Sequence, residues 1–543
     1  MNLSVDSLVK RFDSIKSNRA NWESHWQECA DYCFPQKANI TSTRTPGTKL
    51  KTDLYDSTAI ESVPIAAAGL QSYLTNPSSR WFDIEMREKI LMEDSEVKAW
   101  LRECVNIEFD YFNETNFNEV MPEFYTDFVV FGNPCLYEEE DPEDALCFYA
   151  RPISEIYILA NERGKIDTVY RNFTYTARQA YQRWGNNAGT TVMDLLKAQK
   201  VEENINFLHI VLPRGERDVR KRDARNMPFA SLYIEPKTKK VLSEGGYEEF
   251  PFFIPRFYKT SDSEYAYSPA SVALADIKML NAMSRDILEA AQKTLHPPLI
   301  LPHDGYLLPF KTGAKAINYK LTGSPDDKVE TLNINREIGL SLEMENQRRA
   351  KIGRIFFVDL FLMLATLPER QRTATEIAER VNERMLILGP ALGRLMKSLA
   401  GAVERGFNIL LRNGKFPPTP DILLGREYKI KFISPLAKAQ RAQEAGSLTN
   451  FLMAIREIAA VDLSVVDNVD LDKVTKRYGD IYNNSDILRS DNEVRKIRES
   501  RAQQLQLQRE LEMMKLGGEG IKPIMEAAKM MEGGEKGGGE GKK

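Results

Sequence analysis

The sequence predicts a predominantly α-helical protein of the α+β class, and three observations support this prediction. Apolar residues recur at intervals of three and four along most of the chain outside residues 147–260. Within residues 147–260, short runs rich in Tyr, Phe, Ile and Val alternate with turn residues, which is typical of antiparallel strands. The length of 543 residues exceeds that of one compact domain and suggests about three or four structural regions.

The N-terminal region is predicted to be mainly helical. A first helix is expected over about residues 3–34, where apolar residues follow helical spacing until Pro35. A second helix is expected from Ala59 to Leu74, followed by a strand from Trp81 to Ile84. The pattern is helical again over residues 96–116. These elements precede the strand-rich region.

Two helices with a small β module between them form the centre of the predicted fold. The strand-rich residues 147–260 contain one predicted helix near Ala177–Trp184. Ser268-Pro269 then opens a helix that His296 closes, because proline is favoured in the first helical turn. After short strands and turns, a second helix is expected from Glu337 to Asp359. The resulting arrangement is an αβα hairpin.

The C-terminal region is predicted to be helical. An apolar and then basic loop, LFLMLATLPERQRTAT, follows Asp359. A long helix is expected from about Thr375 to its stop at Asn413-Gly414, with a kink at Gly389-Pro390. A strand, EYKIKFISP, and helices over about residues 438–460, 471–478 and 491–515 complete the pattern. The last helix has only a thin apolar stripe, so it needs partner helices, and the tail from Gly517 is expected to be mobile.

Composition excludes several classes of protein. With 42% hydrophobic and 28% charged residues, no stretch approaches the roughly 18 apolar residues of a membrane span. The N-terminus lacks the apolar core of a signal peptide, and five cysteines are too few for a disulfide framework, so we expect synthesis in a reducing cytoplasm. The net charge of −4 means that any contact with DNA depends on a few local cations.

Motifs of common enzymes are missing from the sequence. It contains no P-loop, no GxGxxG after a strand, no HExxH and no GxSxG, so we expect no enzymatic activity, no catalytic residue and no cofactor. His25, Cys29 and Cys33 share one helix face and could seed a metal site, but without a fourth ligand a core face is the better interpretation, and no metal is expected. The acidic run Glu138–Asp144 could bind a divalent ion or mimic DNA, yet a solvated surface loop is favoured.

Cations and histidines complete the candidate residues. The second central helix carries Arg348, Arg349, Lys351 and Arg354, and the loop after it carries Arg370 and Arg372. A salt-bridged helix face and a DNA contact are equally compatible with this cluster. The run Arg220–Arg225 is interpreted as a solvent-facing loop, and structural roles are expected for His209, His296 and His303.

Three blocks carry a resemblance to a known family. They are YDSTAIESVPIAAAGLQSYLTNPSSRWFDI at residues 55–84, YAYSPASVALADIKMLNAMSRDILEAAQKTLHPPLILP at residues 265–302, and RTATEIAERVNERMLILGPALGRLMKSLAGAVERGFNILLRNGKFP at residues 372–417. In sequence, order and spacing they resemble the portal, or head-to-tail connector, proteins of short-tailed (podovirus) bacteriophages. The similarity covers most of residues 3–435.

This resemblance implies the portal fold, a ring-forming subunit with named parts. The implied parts are a wing at residues 1–267, stem helix 1 at 268–298, a small α/β clip at 299–335, stem helix 2 at 336–360, a tunnel loop with the long kinked helix and a return to the wing at 361–434, a helical crown at 435–490, a barrel helix at 491–516 and a flexible Gly-rich tail at 517–543. A closed ring would bury in its neighbours a narrow helix pair that could not stand alone.

The resemblance also implies function, partners and site residues. A portal ring, usually of twelve copies, occupies one capsid vertex of the virion and is the channel for genome packaging and ejection. The implied partners are further copies of the chain, double-stranded DNA passing without sequence readout, the terminase large subunit, a tail adaptor, and the major capsid and scaffolding proteins, with no membrane and with assembly in the host cytoplasm. The implied channel residues are Arg370, Arg372, Lys351 and Arg354, and the implied docking residues of the clip are Pro309, Lys311, Lys315 and Lys320.

Two alternatives remain at this point. A tail adaptor or an internal scaffold would also be helical, oligomeric and without catalytic motifs. An enzyme acting on nucleic acid would need clustered carboxylates for two metal ions, and Glu138–Asp144 is the one dense acidic cluster of the sequence.

Overall fold

The computed structural model describes residues 4–42, 45, 47–49, 53–221, 223–296, 299–300, 319, 330–331, 338–365, 374–423, 425–433, 435–460, 462–482, 488–489 and 491–516. The chain divides into two compact units, Met1–Leu436 and Ala437–Lys543. Each unit is described by itself.

The first unit begins with helices and a small sheet. Its first elements are α1 (Val5–Cys33), α2 (Thr58–Leu74), β1 (Phe82–Met86), α3 (Ser95–Glu114), α4 (Phe117–Phe131), β2 (Cys135–Asp141) and β3 (Ala145–Arg151). Ser4 caps α1 by accepting a hydrogen bond from the Ser7 backbone N–H at 3.3 Å. Gly132 ends α4 at φ 76°, a left-handed conformation that glycine adopts without strain. The three predicted N-terminal helices are therefore confirmed.

A five-stranded antiparallel sheet follows, in the strand order β4-β5-β6-β7-β8. Its elements and the short strands after it are β4 (Ile156–Ala160), β5 (Ile166–Thr176), α5 (Ala177–Trp184), α6 (Thr190–Lys197), β6 (Asn204–Pro213), β7 (Phe229–Glu235), β8 (Lys240–Tyr247), β9 (Phe252–Phe253), β10 (Tyr258–Lys259) and β11 (Ala266–Tyr267). Consecutive residues of a strand point to opposite faces. Phe207 accordingly packs under α5 and α6, whereas Leu208 packs against α1.

The remainder of the first unit contains the central helices. They are α7 (Pro269–Leu295), α8 (Ile338–Ile355), α9 (Val358–Ala365) and α10 (Ala374–Arg412), with the strands β12 (Leu299–Ile300), β13 (Glu330–Thr331) and β14 (Tyr428–Phe432). The strands β12 and β13 pair antiparallel at the two ends of the predicted clip, and β14 pairs with β1. Helix α10 is continuous with Pro390 inside it. The second unit contains α12 (Leu471–Tyr482) and α13 (Asp491–Leu516), and α11 (Pro435–Ala459) leads into it.

The main core of the first unit is aromatic and lies where α1–α4, β1–β3 and α7–α10 meet. Trp81 stacks on Phe117 with ring centroids 5.9 Å apart, and Phe112 stacks on Phe148 at 5.3 Å. These rings come from a loop, two helices and a strand. The helices thus pack directly onto the small β2–β3 sheet, as expected for an α+β fold.

Three local predictions were wrong. The acidic run is not a surface loop over its whole length: Glu138–Asp141 belong to β2, which lies between β3 and β9, and Glu138 is completely buried. The strand-rich region contains a second helix, α6, beside the predicted one. The second central helix ends at Ile355 rather than Asp359, and the apolar run after it forms α9 instead of a loop because Leu360 and Phe361 are buried in the core.

Candidate functional site

The candidate site is the pair of helices α7 and α8, which pack along each other. Helix α7 begins at a well-formed cap, since the Ser268 hydroxyl accepts a hydrogen bond from the Ser271 N–H at 2.9 Å and Pro269 occupies the first turn. Its face toward the core buries Leu274, Ile277 and Leu280. The pairing that the sequence predicted for the two helices is confirmed.

Asp276 of α7 binds two cations of α8. Its carboxylate oxygens accept from the Arg348 guanidinium at 2.6 Å and from the Lys351 ammonium at 2.8 Å. The Asp276 side chain is 12% exposed, so this contact is sheltered on the aspartate side. The hydrogen bond from Lys351 and the nearby Arg348 hold the pKa of Asp276 below its usual value.

A second polar chain lies deeper in the same helix pair. The Ser284 hydroxyl of α7 donates to the Glu345 carboxylate of α8 at 2.6 Å, and both side chains are buried. Glu345 also pairs with Arg349 at 3.2 Å, and Arg349 reaches Asp56 at 3.0 Å, ahead of α2. The buried Glu345 carboxylate is thereby stabilised by the Ser284 hydroxyl on one side and by the Arg349 guanidinium on the other. The chain fixes the register of α7, α8 and the start of α2.

Helix α7 is also tied to the N-terminal region. Lys278 pairs with Glu28 of α1 at 2.7 Å. The Asn281 side chain accepts from the Tyr55 N–H at 2.7 Å and donates to the Asp53 carbonyl at 3.0 Å. The first half of α7 is therefore held by neighbours of the same chain.

Several apolar side chains of the pair remain exposed in the single chain. On α7, Val272 and Met279 lie seven residues apart, and Leu288 and Leu295 repeat this spacing. Their exposed fractions run from 44% at Met279 to 76% at Leu295. On α8, Leu342 and Met344 are exposed as well. Because an α-helix turns through about 100° per residue, Val272 and Met279 lie on one face of α7, and Leu288 and Leu295 lie on nearly the opposite face.

The junction between α8 and α9 is tightly packed. Phe357 adopts φ 59°, a left-handed conformation that is costly for a bulky residue. On either side of it, Phe356 and Phe361 are buried, and the Phe361 ring fills the space that a side chain at Gly69 would occupy. Burial of these rings compensates for the backbone strain at Phe357.

Helix α10 is held to the loop between β8 and β11 by three arginines. Arg394 donates to the backbone carbonyls of Arg256, at 2.7 Å, and of Phe257. Arg405 and Arg412 both bind Glu249, with Arg412 at 2.6 Å. These contacts fix the second half of α10 on the β-rich part of the unit.

The predicted channel residues divide into two groups. Lys351 lies on α8 but pairs with Asp276, as described above. Arg354 is exposed, donates to the Ala350 carbonyl at 3.3 Å, and has no carboxylate partner among the residues that the structure describes. Of the α8 cations, three therefore form salt bridges, which supports the salt-bridged interpretation for them. The remaining predicted residues, Arg370, Arg372, Pro309, Lys311, Lys315 and Lys320, lie outside the described residues.

Other candidates from the sequence take structural positions. Cys29 and Cys33 are fully buried core residues, and the Cys29 sulfur lies 3.7 Å from the His25 ring. Within the described ranges, no group of three or more potential metal ligands comes together. His209 is buried, bonds to the Ser231 hydroxyl at 3.0 Å and stacks on Tyr233. The run Arg220–Arg225 is exposed at its described positions. None of the described helices is long and apolar enough to cross a membrane.

The second unit consists of helices joined by polar contacts. The Arg498 guanidinium of α13 binds the Asp472 carboxylate of α12 with two hydrogen bonds, at 2.7 and 2.6 Å. The hydroxyls of Thr449 on α11 and Tyr478 on α12 lie 2.7 Å apart. Leu505 and Leu507 of α13 are exposed. That this helix needs partner helices stays a prediction.

Comparison with protein families decides the assignment. The family model of the bacteriophage head to tail connecting protein matches residues 5–486. The chain belongs to this family. Membership confirms the resemblance carried by the three sequence blocks, and it places the connector chain among the structural proteins of the phage virion.

Curated relatives of the connector chain are portal proteins. It is 29% identical over 517 residues to the probable portal protein of Bordetella phage BPP-1, covering 94% of this chain and 93% of the relative. It is 28% identical over 530 residues to the portal protein of Salmonella phage epsilon15, covering 96% and 95%. Among solved structures, a chain from the neck of an empty GTA particle matches with a TM-score of 0.36 and 13% identity, over 73% of this chain and 86% of that chain.

Sequence reasoning missed the acidic half of the site. It named the cations of α8 but not Asp276, Glu345 or Asp56, the carboxylates that bind them. Arg348 and Asp276 are 72 residues apart in the sequence, so no local pattern links them. The one available signal was that a four-cation helix facing another helix requires acidic partners.

Proposed function

We propose that the chain is the subunit of a portal ring, usually of twelve copies, which occupies one capsid vertex and forms the channel for genome packaging and ejection. One observation carries this proposal: α7 and α8 form a long helix pair whose cations are largely neutralised and whose outer apolar residues are uncovered in the single chain. The portal assignment of both named relatives supports it over a tail adaptor or an internal scaffold.

Closure of a ring explains the exposed apolar stripes of α7. Each subunit of a closed ring presents the same heterologous contact to its neighbour. In such a ring each copy has a neighbour on either side, so Val272 and Met279 would be covered by one neighbouring copy and Leu288 and Leu295 by the other. About 25 cal/mol is gained for each Å² of apolar surface removed from water. Every copy gains this free energy at its contacts with both neighbours, so the ring is stabilised by all copies together.

The charge pattern of α8 is compatible with DNA that moves through the proposed channel. Neutralising a phosphate with a free cation strengthens DNA binding, and each such contact would slow translocation. Asp276 offsets Arg348 and Lys351, while Glu345 and Asp56 offset Arg349. A channel wall on which three of the α8 cations pair with carboxylates, while Arg354 has no carboxylate partner among the described residues, would let the duplex pass without sequence readout.

The parts of the chain are assigned in accordance with this role. The wing is residues 1–267, α7 lies in stem helix 1 at 268–298, the clip is 299–335, α8 lies in stem helix 2 at 336–360, and the tunnel loop and long helix are 361–434. The crown is residues 435–490, and the barrel helix is residues 491–516, which form α13. The clip docks the terminase large subunit and later the tail adaptor, whereas the outer parts contact the major capsid and scaffolding proteins. Assembly takes place in the host cytoplasm, and the role is structural rather than enzymatic.

Substitution on the exposed stripe tests ring formation. Leu288→Lys places a charge on the uncovered face of α7 and should prevent ring closure while the subunit stays folded. Lys293→Glu changes a charge on the same helix and is the matched control. Sedimentation velocity should give small species for the first variant and full rings for the control. Full rings from Leu288→Lys would contradict the proposed interface.

Charge reversal tests the channel residues. Arg370→Glu with Arg372→Glu should leave ring assembly intact and impair DNA packaging or retention, because both cations are proposed to approach the DNA backbone from the tunnel loop. Packaging at the unaltered level would reject this role. Replacement of residues 309–320 by a neutral linker should abolish binding of motor and adaptor, and retention of both would rule out docking at the clip.

A further inference from the structure

Two glutamates outside the helix pair are completely buried and have no hydrogen-bond partner in the described part of the chain. Glu108 of α3 and Glu138 of β2 each have 0% exposure. All four of their carboxyl oxygens are shielded from solvent and have no hydrogen-bond partner among the described residues. The backbone N–H of Phe407 faces Glu108 without reaching hydrogen-bond geometry. Buried polar groups in native proteins are nearly always paired, so this arrangement calls for an explanation.

Both carboxyl groups face the same point on α10. A β-carbon at Gly406 would lie 3.3 Å from an oxygen of Glu108 and 3.4 Å from an oxygen of Glu138. The glycine lets the α10 backbone close over the two side chains, with the Phe112 ring as the third neighbour at 3.5 Å. Three elements, α3, β2 and α10, thus meet at two carboxyl groups from which solvent is excluded.

The surroundings disfavour negative charge at this point. Burial, followed by the neighbouring Glu138, raises the pKa of Glu108 well above its usual value. Burial raises the pKa of Glu138 to about 8, although Arg405 opposes the shift. The titratable and charged groups that face the pair are Cys104 on α3, Arg405 and Arg412 on α10, Glu249 in the adjoining loop and Tyr428 on β14. Arg405 and Arg412 share Glu249, so one carboxylate offsets one of the two positive charges, and burial outweighs the remaining attraction to Arg405 at Glu138.

We propose that Glu108 and Glu138 are held as uncharged carboxylic acids and act as a proton-dependent clamp, which allows α10 to close over α3 and β2 and releases it when the pair ionises. Two carboxylates side by side without water repel each other, and hydration relieves this repulsion. Displacement of α10 at Gly406 is the direct route for water, because the glycine places no side chain over the pair. The proposal does not depend on the portal function of the chain.

The sign of the pH effect follows from the raised pKa values. In an opened state, both groups return to the ordinary value of 4.5. The closed state is therefore fully favoured below pH 4.5 and loses stability as the pH rises toward about 8 for Glu138, and further for Glu108. Each group that ionises on opening changes the opening equilibrium by about tenfold per pH unit, so the pair gives up to about a hundredfold.

Hydrogen–deuterium exchange on the full-length assembled protein tests the clamp. In the wild type, protection factors of the amides around Gly406 should fall by about tenfold to a hundredfold per pH unit between roughly pH 6 and 8, after correction for intrinsic exchange. In Glu108→Gln with Glu138→Gln, which preserves shape without an ionisable proton, this dependence should disappear. Glu143→Gln, at an exposed position of the same hairpin, is the control and should retain the wild-type slope. Equal slopes in the wild type and the double variant would overturn the proposal.

Two further measurements keep the proposal falsifiable. Infrared difference spectra of the wild type at neutral pH should contain the C=O stretch of protonated carboxyl groups, reduced in each single variant, Glu108→Gln or Glu138→Gln. If neither variant reduced this signal, the pair would be ionised in the wild type, and the clamp would be rejected. Addition of Mg²⁺ or Ca²⁺ at alkaline pH should not restore protection. Saturable restoration, absent from the double variant, would identify a cation site instead and also overturn the proposal.

Discussion

Asp276→Asn removes the charge at the position where Arg348 and Lys351 of α8 bind α7. The carboxylate accepts from Arg348 at 2.6 Å and from Lys351 at 2.8 Å, and these two side chains are 32% and 53% exposed. Solvent screens pairs at such exposure, so each contributes about 0.5–1 kcal/mol. The substitution should therefore weaken the helix pair by about 1–2 kcal/mol, which corresponds to a five- to thirtyfold increase in local opening.

The assay is hydrogen exchange of the α7 and α8 amides at neutral pH, combined with a double-mutant cycle between Asp276→Asn and Lys351→Gln. The Lys351 hydrogen bond lowers the pKa of Asp276 below its usual 3.8, so its contribution is complete above that pH and is lost as the pH falls through the lower folded value. Wild type and Asp276→Asn should therefore differ at pH 7 and converge only in acid below pH 3.8. A coupling energy of zero at pH 7, or a difference unaffected by acid, would refute the role assigned to Asp276.

Three substitutions test the packing of the first unit by thermal unfolding. Gly69→Ala should destabilise it by about 1–3 kcal/mol, because the added methyl group overlaps the buried Phe361 ring. Gly353→Ala, in α8 with nothing within 4 Å of the added methyl, should stabilise by up to about 1 kcal/mol, and a loss similar to that of Gly69→Ala would contradict the reasoning. Arg19→Lys should lower the free energy of unfolding by about 2–4 kcal/mol. The buried guanidinium donates to three backbone carbonyls, and one ammonium cannot replace its planar geometry. A change below about 1 kcal/mol would show that these bonds contribute little.

Sequence periodicity was sufficient to predict the long helices. It was insufficient where tertiary contacts determine whether a residue is buried or where an element ends. The Ser268-Pro269 start and the spacing of three and four located α7 within a residue of its bounds. The short α6 follows Gly189 and has only eight residues, too few for a clear period. Glu138 was placed on the surface because acidic runs are normally hydrated, yet its strand is covered on both sides. The break at Phe357 depends on where the neighbouring rings are buried, which no local pattern encodes.

The sequence predicted the two helices and the cations of the candidate site, but it did not predict the carboxylates with which these cations pair. Sequence placed four cations on the second central helix and left open whether they face DNA or carboxylates. Asp276 and Glu345 decide this for three of them, and both contacts cross between helices that are distant in sequence. Long-range ion pairs of this kind follow from the packing of the helices and therefore become visible only with the fold.

Location of α7 and α8 in the assembled particle tests the account most directly. Electron cryo-microscopy of the purified full-length chain should give a closed ring of identical subunits, with the two helices lining a central channel and with Leu288 against the neighbouring copy. Single subunits at micromolar concentration, or rings with these helices on the outer circumference, would contradict the account.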